Sequence, residues 1–167
     1  MNRQKMESGF SLIEIMVTMF VMSVGLLGLA KMESFSMRMN HSAYLRTQGA
    51  LLAQNMIARI RANQAGVKSL AYNGLANPAR IANCLSKTGC NGTEMAQNDA
   101  FDWQILLPAI LPSGQGTICI DSTPADGADA SNAACDGVGS LYAAKLWWND
   151  ARDGSGALHR FVTSFSP

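Results

Sequence analysis

The sequence predicts an α+β protein in which a long N-terminal helix packs on a small antiparallel sheet. Three observations predict this class. An apolar run at residues 10–30 passes directly into a segment with apolar residues on one side. The last third of the chain contains short strand-like segments that are rich in aromatic residues. Asp-Gly pairs separate these segments. Helical and strand patterns are therefore segregated along the chain, as in α+β domains.

The chain begins with a short polar leader, residues 1–9, that carries Arg3, Lys5 and Glu7. The apolar run after it has the length of a membrane-spanning helix, because about 20 residues at ~1.5 Å each cover the hydrocarbon core of a bilayer. Basic residues before the run favour a cytoplasmic N-terminus. We therefore expect one pass through a bacterial inner membrane, with a periplasmic head.

Three interpretations of this N-terminus compete: a signal peptide cut after the run, an uncleaved anchor, and a leader cut before the run. Gly28 and Ala30 match a signal-peptidase site poorly. A cut before the run explains Gly9, because a small residue lets a protease backbone approach closely. It also explains Glu14, a carboxylate that costs about 2–3 kcal/mol near the membrane centre. The amino group freed on Phe10 would be a suitable cation for it.

The segment GFSLIE at residues 9–14, followed by the apolar run, resembles the processing motif of type IV prepilins and type II secretion pseudopilins. The resemblance implies that a prepilin peptidase cuts after Gly9 and N-methylates Phe10. It also implies that Glu14 is the carboxylate used in assembly. The motif is specific, since leader, glycine, aromatic residue and glutamate must all fall in register, but it covers only the first 30 residues.

A second stretch, SVGLLGLA at residues 23–30, resembles the minor pilins of the PilV group, the type IV pilus modification proteins. Residues 58–63 also resemble that group. The resemblance implies partners among other minor pilins, the major pilin and a large pilus-tip adhesin, and a final location at the pilus tip. Inner-membrane lipid would surround the helix before assembly. Minor pseudopilins of the I type share part of this stretch and remain an alternative.

Residues 31–66 are predicted to continue the helix as an amphipathic half whose apolar stripe packs on the head. The helix is expected to end between Asn63 and Gly66, because Asn and Gly favour a C-terminal stop. The predicted stripe recurs mainly at three- and four-residue steps and consists of Met32, Phe35, Met39, Ala43, Leu52, Met56 and Ile60.

The predicted head, residues 67–167, contains all four cysteines of the chain. Export favours disulfides, and four cysteines allow three pairings. We favour Cys84–Cys90 and Cys119–Cys135, because both close short local loops. No C-x-x-C pair is present, so a zinc site is not expected.

The head is predicted to contain one helix and three antiparallel strands. The helix covers residues 99–107, with Asp99 as its N-cap and Pro108 limiting it. The strands cover residues 116–121, 140–148 and 159–165, and Asp153-Gly154 forms the turn before the last one. Of the pair Trp147 and Trp148, one is expected to face the core and the other to point outward for a partner contact.

The sequence contains no catalytic motif, and we expect a non-enzymatic subunit without cofactor or metal. Asp121, Asp126, Asp129 and Asp136 form an acidic loop, but their spacing is not that of a calcium loop. The formal net charge of +1 argues against nucleic acid as a partner. A ligand- or DNA-binding module at a pilus tip is the alternative of a different class.

Overall fold

The computed structural model describes residues 9–75, 77–150 and 157–167 and confirms the α+β class. The chain divides into two compact units, Met1–Asn40 and His41–Pro167. Residues 1–8 of the leader and the predicted Asp153-Gly154 turn lie outside the described residues. The elements in order are α1 (Leu12–Ala62), α2 (Gln64–Lys68), a 3₁₀ helix (Ala82–Leu85), α3 (Gly92–Ile110), β1 (Gln115–Ile120), β2 (Tyr142–Asn149) and β3 (Leu158–Phe165).

Helix α1 belongs to both units and has a different surface in each. In the first unit every described residue is exposed, including the apolar side chains. In the second unit one face is buried, formed by Leu45, Gly49, Leu52, Ala53, Met56, Ile57 and Ile60. The change occurs near residue 40, about ten residues after the end of the predicted membrane segment.

The predicted apolar stripe of α1 is correct only in its C-terminal part. Leu52, Met56 and Ile60 lie in the core of the head. Met32, Phe35 and Met39 belong to the first compact unit and are exposed there. Their spacing continues the helical period, but burial starts only with Leu45. Periodicity records which side of a helix is apolar and does not record what covers it.

The two helix boundaries differ from the sequence prediction for local reasons. Helix α1 ends at Ala62, and Asn63 then caps the short helix α2 by accepting a hydrogen bond from the backbone N–H of Gly66. Helix α3 begins at Gly92, where Asn91 and Glu94 form a reciprocal capping box. The prediction of Asp99 as the N-cap is wrong, because that residue lies one to two turns inside the helix and is buried.

The three strands form one antiparallel sheet in the order β1-β2-β3, as the sequence predicts. In the register of the sheet, Thr117 is opposite Lys145 on one side, and Lys145 is opposite Val162 on the other. The central strand β2 is buried along nearly its whole length. Both faces of the sheet are therefore covered at β2.

One face of the sheet packs on the helices. Trp148 lies on this face, and a Cβ atom added to Gly49 of α1 would lie 3.1 Å from its ring. The indole N–H of Trp103 in α3 donates to the carbonyl of Leu52 in α1 at 2.9 Å, which ties the two helices together. Gly49 thus provides the room for an aromatic side chain to reach the helix backbone.

The opposite face of the sheet is approached by residues 121–139, which we call the cover loop. The loop is tied to the sheet by the disulfide Cys119–Cys135 and by Arg160, whose guanidinium donates to the carbonyls of Ala125 and Gly127 at 2.6 and 2.7 Å. Trp147 lies on this face and is only 1% exposed. The prediction that one tryptophan of the pair points outward is therefore wrong.

Candidate assembly site

The residues of the predicted processing motif lie at the very start of α1. Gly9 and Phe10 precede the helix, and the backbone N–H of Glu14 donates to the carbonyl of Ser11 at 3.0 Å. Phe10 is 79% exposed. The scissile bond that the sequence predicts, Gly9–Phe10, is thus in non-helical backbone next to a helix N-terminus. Non-helical backbone of this kind suits a protease active site, because a helix hides its peptide groups in internal hydrogen bonds.

Glu14 is in the first turn of α1, where the unsatisfied N–H groups and the helix dipole favour a carboxylate. The side chain is exposed, and within the described part of the chain its carboxylate has no ion-pair or hydrogen-bond partner. A carboxylate that enters an apolar environment without a partner costs several kcal/mol in order of magnitude. The arrangement therefore leaves Glu14 free to pair with a cation from another molecule or from the processed N-terminus.

The apolar surface that follows Glu14 is long enough for a membrane. Among the described residues, one helix, α1, is long and apolar enough to cross a bilayer by length and composition, and the apolar part of it is wholly exposed. This fits a membrane-anchored protein. The hydroxyl groups of Thr18 and Ser23 donate to the carbonyls of Ile15 and Phe20, one turn earlier. Both polar side chains are thus satisfied within the helix and do not oppose its insertion.

The acidic loop predicted from the sequence is the cover loop, and its carboxylates are engaged within the head. Asp126 binds Lys145, Asp136 accepts hydrogen bonds from Ser122, and Asp129 accepts from Ser131. The hydrogen bond from Lys145 lowers the pKa of Asp126 below its ordinary value. Hydrogen bonds from hydroxyl and backbone groups likewise lower the pKa of Asp129 and of Asp136. These carboxylates hold the loop in its conformation.

Sequence reasoning missed the charged cluster beneath this loop. Lys145, in the centre of β2, is fully buried, and its Nζ lies 2.5 Å from Oδ2 of Asp121 and 2.7 Å from Oδ1 of Asp126. Burial alone would lower the pKa of Lys145, but the adjacent carboxylates of Asp121 and Asp126 reverse this and raise the pKa. Lys145 lies in the middle of a strand, and no sequence signal showed that a loop covers its side chain.

A second buried polar network joins α1 to α3. The hydroxyl of Tyr72 donates to Oδ2 of Asp99 at 2.7 Å, and Nη1 of Arg59 lies 3.2 Å from Oδ1 of the same carboxylate. The amide of Asn63 donates to the Tyr72 oxygen. The network borders an open groove of about 420 Å³ lined in part by Met95. Asp99 therefore anchors the end of α1 rather than beginning a helix.

The two predicted disulfide pairs are the pairs in the structure. Cys84 is bonded to Cys90 across a short loop before α3, and Cys119 at the end of β1 is bonded to Cys135 in the cover loop. All four cysteines are bonded. The sulfur atoms and Asp121 form the one group of potential metal ligands found in the described residues, and the disulfide occupies both sulfurs. This part of the head is thus held by covalent and ionic ties together.

Comparison with known proteins gives one match. Residues 4–30 match the family model described as the prokaryotic N-terminal methylation motif. The matched segment includes Gly9, Phe10 and Glu14. No curated protein and no solved structure matches the chain. The match therefore concerns the leader and the first part of α1, and the head has no counterpart among these comparisons.

Proposed function

We propose that this chain, whose residues 4–30 carry a prokaryotic N-terminal methylation motif, is a minor pilin that primes type IV pilus assembly or forms part of the pilus tip. The motif supports a type IV pilin-like or pseudopilin protein, processed by prepilin peptidase and assembled with other pilins. The observation that carries the proposal is the combination of this motif with an apolar helix that the head leaves uncovered. The sequence resemblance of residues 23–30 to the PilV group supports the minor-pilin role.

Processing would place a positive charge at the start of α1, close to the carboxylate of Glu14. Cleavage after Gly9 removes the charged leader and places a new amino group on Phe10, four residues before Glu14. Methylation keeps the positive charge of that amino group. Pairing of Glu14 with the amino terminus of a neighbouring subunit would satisfy both charges in an apolar bundle. Other axial offsets between neighbouring subunits would leave the Glu14 carboxylate unpaired. One offset between subunits would therefore be favoured.

The head would have a structural rather than an enzymatic role. Buried charged groups of the head make internal contacts, as Asp99 does with Arg59 and as Lys145 does with Asp121 and Asp126. The partners that we propose are other minor pilins, the major pilin and a tip adhesin. The neutral charge balance gives no support for nucleic acid as a main ligand.

Deletion of the gene in its host tests the role. A minor pilin predicts loss or strong reduction of surface pili, counted by electron microscopy, with secretion of folded exoproteins unchanged. The reverse result, normal pili with failed secretion, would replace the proposal with a minor pseudopilin of the I type. Normal pili and normal secretion, with loss of DNA uptake or of surface attachment alone, would favour a ligand-binding tip module.

A substitution of Glu14 tests the assembly step separately. Glu14→Ala is expected to leave membrane insertion intact and to reduce piliation, because the ion pair with the amino terminus of a neighbouring subunit is lost. Glu33→Ala is the matched control, since Glu33 is an exposed carboxylate of the same helix outside the apolar run. Equal piliation in the two variants would contradict the assembly role of Glu14.

A further inference from the structure

Lys145 and Asp121 form a contact between two side chains that are both completely buried. Nζ of Lys145 lies 2.5 Å from Oδ2 of Asp121, and both side chains have an exposed fraction of 0%. A second carboxylate, that of Asp126, lies 2.7 Å from the same nitrogen, and its side chain is 42% exposed. The carbonyl of Ala133 accepts a hydrogen bond from Nζ at 2.7 Å. An amine, a buried carboxyl group and a second carboxylate therefore meet at one point under the cover loop.

The directions of the hydrogen bonds distinguish the two acidic partners of Lys145. Nζ donates to Asp126 and to Ala133. Within the described residues, the buried Oδ2 of Asp121 accepts no hydrogen bond, although it lies closest to Nζ. An ammonium group would aim its third N–H at this oxygen. Loss of one proton from that ammonium group would leave a lone pair in this remaining direction, towards the carboxyl group of Asp121.

We propose that Lys145 and Asp121 condense to form an intramolecular isopeptide bond. The buried oxygen without a donor, and the two hydrogen bonds that leave one direction of Nζ free, are the observations that carry the proposal. Burial supports it further, because both side chains are completely removed from solvent and are held in contact. The inference does not depend on the proposed role in pili.

The reaction needs no redox partner and no cofactor. One proton moves from Nζ of Lys145 to the carboxyl group of Asp121, which leaves the net charge of the cluster unchanged. The lone pair of Nζ then attacks Cγ of Asp121 and forms the Nζ–Cγ bond. The carboxylate of Asp126 accepts a proton from Nζ and returns it to the departing hydroxyl group. The Cγ–O bond breaks, and one molecule of water leaves on the exposed side of Asp126.

The product would join the end of β1 to the middle of β2. Asp121 directly follows β1, and Lys145 is opposite Thr117 in the register of the sheet. The disulfide Cys119–Cys135 already ties the same strand end to the cover loop. Two covalent bonds of different chemistry would then hold this corner of the head, and only one of them would open under reducing conditions.

Intact-mass measurement of the full chain, purified in detergent from an oxidising compartment, tests the proposal. The wild type is expected to be lighter than its sequence, with both disulfides formed, by the mass of one water. After reduction, alkylation and proteolysis, one branched peptide should contain both Lys145 and Asp121. A folded wild type with the full sequence mass and no branched peptide would overturn the proposal.

Three variants separate the bond from a simple ion pair. Lys145→Arg keeps the charge and should restore the full mass. Asp121→Asn should still react, with loss of ammonia in place of water, and should give the wild-type mass. An ion pair alone predicts no such loss in Asp121→Asn, so this variant tests the bond even where Lys145→Arg fails to fold. Asp126→Ala should retain a larger unreacted fraction, since it lacks the proton carrier.

Discussion

Tyr72 is a fully buried phenol between α1 and α3, and its position depends on two polar neighbours. It donates to Asp99 at 2.7 Å and accepts from Asn63 at 3.0 Å. Burial raises the pKa of Tyr72 far above its ordinary value of 10.0, and the Asp99 carboxylate adds to this rise. The hydroxyl group therefore stays protonated and remains a donor at any physiological pH.

The substitution Tyr72→Phe removes one hydrogen bond to a buried carboxylate. We expect the free energy of unfolding to fall by about 1–3 kcal/mol, because the buried side chain of Asp99 loses a hydrogen-bond donor. Tyr44→Phe is the control, since Tyr44 is 56% exposed, and its effect should stay within ~0.5 kcal/mol. Urea titration followed by tryptophan fluorescence measures both. Equal effects of the two substitutions would contradict the role of the network.

Individual buried polar residues are the part of the molecule that sequence reasoning predicted least. The motif residues Gly9, Phe10 and Glu14 fall in one register and were recognisable, because their spacing along the chain carries the signal. The contact of Lys145 with Asp121 joins positions on different elements, and no local pattern encodes it. The role of Asp99 was missed for the same reason, since its partners Arg59 and Tyr72 are distant in sequence.

At the scale of elements, helix α1 has one buried and one exposed face within the head. Met56 is 1% exposed on the buried face, and Leu51 is 58% exposed on the other. Both are unbranched or singly branched apolar residues in helical conformation, so their intrinsic helix propensities are similar. A difference in stability between alanine variants of these two residues therefore reports side-chain packing rather than helix propensity.

Truncation of these two residues should therefore have unequal effects on stability. Met56→Ala is expected to lower the free energy of unfolding by about 2–5 kcal/mol through lost burial and a residual cavity. Leu51→Ala should change it by less than ~0.5 kcal/mol. Denaturant unfolding of the full chain in detergent measures the difference. A large loss on Leu51→Ala would show that this face is also covered in the isolated subunit.

The carboxylates of the cover loop make the stability of the head depend on pH. Hydrogen bonds from Ser122 and from the backbone N–H of Val138 hold the pKa of Asp136 below its ordinary value of 3.8. A group with a lowered pKa in the folded state contributes stability that is present above its unfolded pKa. That contribution is lost as the pH falls through the folded pKa. Asp126 and Asp129 have lowered pKa values as well, so their contributions disappear in the same window.

Unfolding experiments at about pH 6 and about pH 3 test this dependence. The free energy of unfolding should be smaller at the lower pH, because protonation of Asp136 breaks its hydrogen bonds. Asp136→Asn should reduce the difference between the two conditions, since the amide does not titrate in this range. An unchanged difference in that variant would assign the acid sensitivity to other groups.

The sequence predicted elements well where one periodic pattern extended over several turns or strands. The three strands appear within one or two residues of their predicted bounds. The boundaries of α3 were predicted less well, because its start depends on the capping box of Asn91 and Glu94 rather than on apolar spacing. The prediction that Pro108 limits this helix is wrong, because α3 continues to Ile110, although the proline has no backbone N–H to donate within the helix.

In the molecule as a whole, a head that contains two disulfides is combined with a long helix segment that is exposed in the isolated subunit. Among the described residues, the apolar side chains from Phe10 to Met39 are exposed, while the head buries its own core. Membrane lipid or other subunits must supply the missing contacts, since such an apolar surface is unfavourable in water. This division fits a subunit that is held in a membrane and then transferred into an assembly.

The position of the N-terminus tests this account most directly. The full chain is expressed with a prepilin peptidase, and its N-terminal residue is determined by sequencing and mass spectrometry. The mature chain is expected to begin with N-methylated Phe10 and to keep the whole of α1. A chain that retains Met1, or one that begins after Ala30, would contradict it.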